Sequence, residues 1–253
     1  MTIVLIGSGN VATHLALALT SAGNKILQVF SRSLVYAEQL ANRVGAEPID
    51  DVSHLTLAAD LYLISVADAS IQEVAQKMPL VEGVVAHTAA SVPMAVLARF
   101  AHHGVFYPFQ TFTKEKLVNF KEIPLLLEAN DSTALKVLNF VGKQISDSVK
   151  ESDESKRKAL HIAAVFACNF VNHLYTLADG LLMESEMEFE ILAPLIRETT
   201  EKALSMHPKQ AQTGPAHRAD TNVIASHLKI LGENTVEYQI YQLLSESIMQ
   251  SEV

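Results

Sequence analysis

The residues with the clearest chemical role form a glycine-rich turn near the start of the chain. The pattern G-x-G-x-x-A comprises Gly7, Ser8, Gly9, Asn10, Val11 and Ala12. It follows a short apolar run and opens a helical pattern, which is the context in which such a turn binds a pyrophosphate. The backbone approaches the phosphates closely there, and free N–H groups at the start of the helix bind them. The alternative is a glycine turn without a ligand.

A second signal follows the next predicted strand, which ends in Phe30-Ser31-Arg32-Ser33. Sites for NAD place an acidic residue about 20 residues after the glycine turn, and this segment contains none. We expect Arg32 to stack on adenine and bind a ribose 2′-phosphate, with hydroxyl donors from Ser31 and Ser33. A charge-assisted hydrogen bond contributes about 1.5–3 kcal/mol, which is about a ten- to hundred-fold preference for NADP over NAD. The alternative is a solvated surface arginine.

Two further segments lie at the carboxyl ends of predicted strands, where open α/β sheets bind their ligands. We expect them to line the ribose and nicotinamide side of the cofactor through Val66, Ala67, Asp68, His87 and Thr88. Asp68 is equally suited to cap the helix that follows it. His87 could instead be a buried structural residue.

A polar stripe runs along the first helix of the second half. At 100° per residue, about a third of the circumference contains Lys158, His161, Val165, Cys168, Asn169, Asn172 and Thr176. Such a stripe could line a substrate pocket, because buried polar groups need partners. We expect His161 to donate a proton, because imidazole titrates near neutrality, with Lys158 and Asn169 holding the substrate's polar atom. The alternative is a set of satisfied polar residues at a helix–helix or subunit interface.

Two other clusters could recognise a substrate. Residues 107–112 follow a predicted strand and combine aromatic side chains with the amide of Gln110. Residues 214–220 precede a helix and contain Arg218, which could bind a carboxylate. We expect Gln110, Asn172, Arg218 and Asp220 to contact the substrate, although Asp220 could simply cap the helix.

These residues need elements that bring them together, and the first half of the chain alternates strand and helix patterns. Apolar runs at residues 3–6, 25–30, 61–66, 84–86, 105–107 and 124–127 predict strands. Such alternation predicts an α/β fold with a doubly wound, mostly parallel sheet. After Val149 we find no convincing strand and predict four helices, at residues 153–183, 188–206, 220–231 and 235–250. We therefore expect a Rossmann-like, nucleotide-binding domain at 1–150 and an all-helical domain at 151–253.

Composition excludes several classes of protein. The formal net charge of −9 argues against a nucleic-acid partner, because phosphate affinity comes from Lys and Arg clusters. The single cysteine, Cys168, excludes an intramolecular disulfide and a Cys-rich zinc site, so we expect no metal and a reducing compartment. No basic segment precedes the apolar run after Met1, which predicts no signal peptide and a cytoplasmic location.

One apolar segment could be mistaken for a membrane span. Residues 159–178 carry no charged side chain and are long enough to cross a bilayer. Their histidines and asparagines are costly in lipid, and no basic flank marks a cytoplasmic end. We expect a buried core or dimer helix and no membrane partner.

Several of these motifs resemble one bacterial family of NADP oxidoreductases, which joins a Rossmann-like domain to a helical domain of unknown function. They are G-S-G-N-V-A-T-H-L-A, H-T-A-A-S, Y-P-F-Q-T-F, K-A-L-H-I-A-A-V-F-A-C-N-F-V-N-H-L-Y and G-P-A-H-R-A-D. The resemblance covers essentially the whole chain. It implies a helical C-terminal dimerisation domain and an active-site cleft between the two domains. Pyrroline-5-carboxylate reductase, ketopantoate reductase and deazaflavin-dependent NADP reductase are wider relatives.

The chain departs from the family pattern at two positions. Ala90 stands where the family has glycine, and Tyr107 stands where it has histidine, so the resemblance assigns no catalytic role to either. The small-residue helix of pyrroline-5-carboxylate reductase is also absent, and residues 161–170 stand in its place. This difference counts against a role in proline synthesis.

The combined expectation is a cytoplasmic, homodimeric NADP-dependent oxidoreductase. It would transfer a hydride between NADPH and a small carbonyl or imine compound, with the protein supplying orientation and a proton. One alternative is a non-catalytic NADP-binding sensor or scaffold, which burial of the polar stripe inside a dimer would favour. Another is a reductase acting on a flavin-like carrier.

Overall fold

In the computed structural model, which describes residues 1–251, the strands within residues 2–151 form an eight-stranded sheet. Its strands are β1 (Thr2–Ile6), β2 (Lys25–Phe30), β3 (Glu47–Ile49), β4 (Leu61–Ile64), β5 (Val84–His87), β6 (His103–Pro108), β7 (Leu125–Ala129) and β8 (Val149–Glu151). They lie in the order β3-β2-β1-β4-β5-β6-β7-β8. Neighbouring strands are parallel except β6 and β7, which are antiparallel. The predicted doubly wound, mostly parallel sheet is confirmed.

Helices cover both faces of this sheet. They are α1 (Asn10–Ser21), α2 (Leu34–Val44), α3 (Asp68–Lys77) and α4 (Ser132–Ile145). Alternate residues of β1 enter different cores, because successive side chains of a strand point to opposite faces. Ile3 and Leu5 pack in the core that contains residues of α1, α2 and α4, whereas Val4 and Ile6 pack in the core that contains residues of α3. The strands are therefore buried on both sides, as expected for parallel sheets.

The rest of the chain is helical. It contains α5 (Glu154–Ala164), a π-helical segment (Val165–Phe170), α6 (Val171–Met183), α7 (Ala193–Ser205), α8 (Pro208–Ala211), α9 (Thr221–Leu231) and α10 (Val236–Ser251). The four predicted helices are present, and the short α8 was not predicted. Two of the helices begin with an aspartate whose side chain accepts hydrogen bonds from backbone N–H groups of the first turn. Asp131 caps α4 in this way, and Asp153 caps α5.

The division of the chain differs from the predicted boundary at residue 150. The two compact units are Met1–Cys168 and Asn169–Val253. Residue 150 lies inside β8, which pairs with β7. Arg157 of α5 is fully buried and ion-paired with Glu128 of β7, so the start of this helix belongs to the first unit. Residues 252 and 253 of the predicted second domain lie outside the described part of the chain.

The second unit buries few apolar side chains. Within its described residues, 169–251, the buried apolar side chains are those of Ala216 and Ile224. Large apolar side chains are exposed on every long helix, including Phe170, Leu174, Leu181, Leu195, Leu204, Ile230, Leu243 and Leu244. Many large apolar side chains exposed on one unit are typical of a surface that another molecule covers.

One helix in the described residues, Glu154–Met183, has the length and apolar composition to cross a membrane. None of its most apolar window is buried in the single chain. The expectation that residues 159–178 form a core helix within the chain is therefore wrong. The other expectation, a dimer helix, stays a prediction.

Candidate functional site

The glycine turn links β1 to α1 and leaves its backbone accessible to a ligand. Gly7 adopts φ +130°, and a Cβ atom there would lie 2.3 Å from the carbonyl oxygen of Ser65. A Cβ atom at Gly9 would meet nothing within 4 Å. No side chain caps the start of α1, and its first turn contains no acidic residue. The turn therefore leaves uncapped N–H groups and open space for an anion, which fits a pyrophosphate.

A cavity of about 240 Å³ adjoins this turn. Seven of the predicted cofactor residues line it, namely Gly7, Ser8, Gly9, Ser31, Arg32, Val66 and Ala67. They come from the ends of β1, β2 and β4, which are neighbours in the sheet. The geometry thus places the glycine turn and the arginine expected to bind a 2′-phosphate around one cavity.

Other predicted cofactor residues lie outside this lining. Asn10 donates from its side-chain amide to the carbonyl of Phe112 at 2.9 Å. Val11 is half-buried in α1, and Ser33 immediately precedes α2 without a side-chain capping bond. Asp68 is exposed and is the first residue of α3, so it is not the residue that precedes and caps the helix.

Two charged residues that line the cavity, Glu73 and Lys77, were not predicted from the sequence. Both belong to α3, and Nζ of Lys77 lies 2.6 Å from Oε1 of Glu73. In a sequence, opposite charges four residues apart are typical of a solvated helix face and do not by themselves indicate a binding site. The spacing of Ser70, Glu73, Val74 and Lys77 is the signal that could have found it, because these residues share one helix face.

The predicted cofactor residues at the end of β5 are buried. The hydroxyl of Thr88 donates to Oγ of Ser65 at 3.1 Å, which joins the ends of β5 and β4. The side chain of His87 is fully buried, and its Nδ1 accepts from the N–H of Ala89 at 3.2 Å. Both residues are buried at the end of β5, and neither lines the cavity.

Burial keeps the His87 imidazole neutral. Desolvation and then the positive charge of Arg157 lower its pKa to about 4, and the Pro93 carbonyl offsets only part of this effect. Because Nδ1 accepts a hydrogen bond, the proton of the neutral ring is on Nε2.

Lowering the pH is expected to destabilise the fold through His87. The ordinary imidazole pKa is 6.5, so the unfolded chain binds the proton first as the pH falls below that value. Stability is then lost progressively down to about pH 4. Between pH 7.5 and pH 5 we expect the wild type to lose about 2 kcal/mol more than His87→Asn, measured by urea unfolding. An equal loss in both proteins would contradict this origin.

A buried ion pair ties α5 to the sheet. The guanidinium of Arg157 donates to the carboxylate of Glu128, and its Nη2 lies 3.4 Å from the carbonyl of Val92. The Arg157 side chain is completely buried, whereas that of Glu128 is 22% exposed. Nε of Arg157 has no partner among the described residues. The pair fixes the first turn of the helix that also contains His161.

His161, the predicted proton donor, lies against the end of β6. Its Nδ1 is 3.4 Å from the hydroxyl of Tyr107. Burial and then the negative charge of Asp68 raise the pKa of Tyr107, while Arg157 acts in the opposite direction. The phenol is therefore neutral at physiological pH. Tyr107 occupies the position at which the chain departs from the family pattern, so its partnership with His161 was not foreseen.

The polar stripe is not a straight α-helical face. Residues 165–170 form a π-helical segment, whose i→i+5 hydrogen bonds change the number of residues per turn. Projection at 100° per residue across this segment was wrong, because it assumed an uninterrupted α-helix. Lys158 pairs with Glu154 on the surface, and Cys168, Asn169, Asn172 and Thr176 are exposed in the single chain.

The other predicted substrate residues have varied surroundings. Gln110 is exposed, and its Oε1 accepts from the N–H of Thr111 at 2.8 Å. Arg218 is exposed. Asp220 caps α9 by accepting from the N–H of Val223 at 3.2 Å, which is the structural alternative considered for it. Within residues 1–251, no group of three or more His, Cys, Asp or Glu side chains could hold a metal ion.

The sheet, the glycine turn and the cavity beside it define a Rossmann-type nucleotide-binding protein. Residues 2–90 match the family described as NADP oxidoreductase coenzyme F420-dependent, and residues 123–248 match the domain of unknown function DUF2520. The crystal structure of a putative NADP oxidoreductase from Bacteroides fragilis is 43% identical, with 98% of each chain covered and a TM-score of 0.91. The chain belongs to this NADP oxidoreductase family, which confirms the resemblance.

More distant structures share the fold. A Thermotoga maritima protein is 21% identical, with 99% of this chain and 98% of that chain covered and a TM-score of 0.74. An imine reductase from Myxococcus stipitatus in complex with NADP+ is 15% identical, with 99% and 94% covered and a TM-score of 0.65. No curated protein matches the chain.

Proposed function

We propose that the protein transfers a hydride between NADPH and a small carbonyl or imine compound. The observation that carries this proposal is the cavity that joins the glycine turn to Arg32. Membership of the NADP oxidoreductase family supports it, and so does the fold shared with an imine reductase that binds NADP+. When bound, the nicotinamide cofactor supplies the hydride.

The first role of the chain is to hold the dinucleotide. Uncapped amides at the start of α1 bind the pyrophosphate, and Gly9 leaves its surface open for close approach. Arg32 binds the 2′-phosphate, while Ser31 and Ser33 add hydroxyl donors. Val66 and Ala67 line the cavity at the end of β4.

The second role is to supply a proton to the substrate's oxygen or nitrogen. His161 is the donor, and the neutral Tyr107 hydroxyl beside its Nδ1 orients the ring. In the protonated ring both nitrogens are donors, so Nδ1–H donates to the Tyr107 oxygen, and Nε2–H gives its proton to the substrate and leaves a neutral imidazole. Lys158 holds the polar atom of the substrate and Gln110 contributes to its recognition, and both belong to the same unit as His161.

A second copy of the chain covers the helical unit. Ile230 and Leu244 line a mostly apolar groove of about 450 Å³ within this unit. The side chain of Ile230 is 79% exposed and that of Leu243 is 66% exposed, which is costly in water. Pairing of two such surfaces would form the core that one copy lacks. The protein then acts as a cytoplasmic homodimer, with neither nucleic acid nor membrane as partner.

The dimer is tested by measuring the mass in solution. We expect light scattering to give twice the chain mass of 27.6 kDa. Ile230→Glu should shift the protein toward monomer, because a charge would be buried in the interface. Leu57→Glu, at an exposed leucine of the first unit, is the matched control. A monomeric wild type would overturn the homodimer.

Cofactor choice is tested by fluorescence titration of NADPH and NADH. We expect NADPH to bind the wild type more tightly, and Arg32→Ala to weaken NADPH binding about ten- to hundred-fold with little effect on NADH. Arg43→Ala removes a positive charge from an exposed position of α2 and should change neither affinity. Failure of the wild type to bind NADPH would overturn the proposed function. An equal effect of Arg32→Ala on both cofactors would remove Arg32 as the discriminator.

A further inference from the structure

Three charged side chains share the cavity beside the glycine turn. Arg32 lies at the end of β2, while Glu73 and Lys77 belong to α3. A hydrogen bond and the positive charge from Lys77, and more weakly Arg32, hold the pKa of Glu73 below its usual range. Glu73 is therefore ionised, and the cavity lining carries two positive charges and one negative charge.

The sequence of α3 places both residues on the cavity side. Ser70, Glu73, Val74 and Lys77 all line the cavity, and their spacing of three and four residues defines one helix face. The neighbouring face carries Ile71 and Ala75, which are fully buried in the core. The core contacts therefore fix the rotation of α3 and keep the charged pair at the cavity.

We propose that Lys77 is a second binding group for the ribose 2′-phosphate and that Glu73 limits the positive charge of this subsite. The inference rests on the proposed function, because it concerns how the same cavity selects NADPH. A phosphate monoester carries about 1.5 to 2 negative charges near neutral pH. Arg32 alone leaves part of that charge unmatched, whereas the 2′-hydroxyl of NADH makes no such demand.

Lys77 can exchange its partner at little cost. Both side chains of the Glu73–Lys77 pair are 64% exposed. Exposed pairs of this kind contribute little because water screens them. A phosphate offers the ammonium group more charge and more acceptor oxygens than the carboxylate does. The ion pair therefore keeps Lys77 near the cavity without preventing its use.

The test compares two substitutions with opposite effects. We expect Lys77→Met to weaken NADPH binding about tenfold and Glu73→Gln to tighten it about threefold, because one removes attraction and the other removes repulsion. NADH binding should stay within about twofold in both variants. Calorimetry with 2′,5′-ADP and 5′-AMP should show the same contrast, which assigns the effect to the 2′-phosphate.

A double variant separates direct contact from a general charge effect. Glu73→Gln with Lys77→Met restores the wild-type net charge of the cavity lining. If Lys77 binds the phosphate directly, this variant should bind NADPH more weakly than the wild type, and Lys77→Arg should retain most of the affinity. Recovery of full affinity in the double variant would overturn the direct contact.

The control is Lys25→Met, which removes a lysine from the first residue of β2, whereas Arg32 follows the other end of that strand. It should leave NADPH affinity unchanged. If the wild type binds NADPH and Lys77→Met does so equally well, only this inference fails. If the wild type binds neither NADPH nor 2′,5′-ADP, the proposed function fails as well.

Discussion

His161→Gln is expected to lower turnover by about 10²- to 10⁴-fold while leaving NADPH affinity unchanged. Glutamine keeps much of the volume of the side chain but cannot donate a proton as an acid. The imidazole lies beside Tyr107 at the end of β6, outside the lining of the cofactor cavity. Its loss should therefore reduce kcat and not cofactor binding. The assay follows NADPH oxidation with a panel of small carbonyl and cyclic imine compounds.

His54→Gln, at an exposed histidine of the same unit, is the matched control and should keep normal turnover. Normal turnover in His161→Gln would contradict the role of proton donor. NADPH binding without oxidation by any compound in the panel would instead favour a sensor or scaffold.

Tyr107→Phe examines how the donor is held. It removes the hydroxyl that lies 3.4 Å from Nδ1 of His161 and keeps the aromatic ring. If Tyr107 acts only through His161, its effect on kcat should be smaller than that of His161→Gln. The double variant should then be no slower than His161→Gln alone, because residues that act as a unit are not additive. The pH–rate profile of Tyr107→Phe should also shift, which a purely structural role of the hydroxyl would not cause.

The cofactor turn was predictable because its signal is local. Gly7 and Gly9 belong to a short pattern between an apolar strand and a helix. Gly7 has no room for a Cβ atom, and Gly9 leaves space for a ligand to approach the backbone. The position of Arg32 beside the cavity was predictable for the same reason, since it lies two residues after the end of β2. These inferences need only the order of elements and the rule that ligands bind at the carboxyl ends of parallel strands.

The missed residues depend on contacts between distant parts of the chain. The partners of Arg157 are Glu128 and Val92, 29 and 65 residues away, and Tyr107 meets His161 across 54 residues. No periodicity reports such pairs. Lys77 resembled an ordinary solvated helix residue because its partner, Glu73, lies one turn earlier on the same helix.

The prediction of the polar stripe was wrong in part because the helix contains a π-helical segment. Each residue from Lys158 to Ala164 follows α-helical geometry, so the projection is valid there. The π-helical segment Val165–Phe170 has more residues per turn, so the projected angles of the residues after it, including Asn172 and Thr176, no longer apply. Nothing in that apolar sequence marks the change, because side-chain type alone does not distinguish α-helix from π-helix.

Arg157→Met is expected to lower the free energy of unfolding by about 3–5 kcal/mol. The substitution fills a similar volume but removes the charge that pairs with Glu128. The carboxylate would then lie largely out of water, 22% exposed, without its partner. Urea unfolding followed by circular dichroism gives the measurement. Loss of the same positive charge should also raise the pKa of His87, because Arg157 contributes to holding it near 4.

The surface pair Lys121–Asp147 provides the matched control, since its side chains are 49% and 78% exposed. Lys121→Met should cost no more than about 1 kcal/mol, because water already screens that charge. Adding Glu128→Gln to Arg157→Met should recover part of the loss, since no unpaired charge remains. If Arg157→Met destabilises no more than Lys121→Met, then the pair does not hold α5 to the sheet. In that event the position of His161 must depend on other contacts of the same helix.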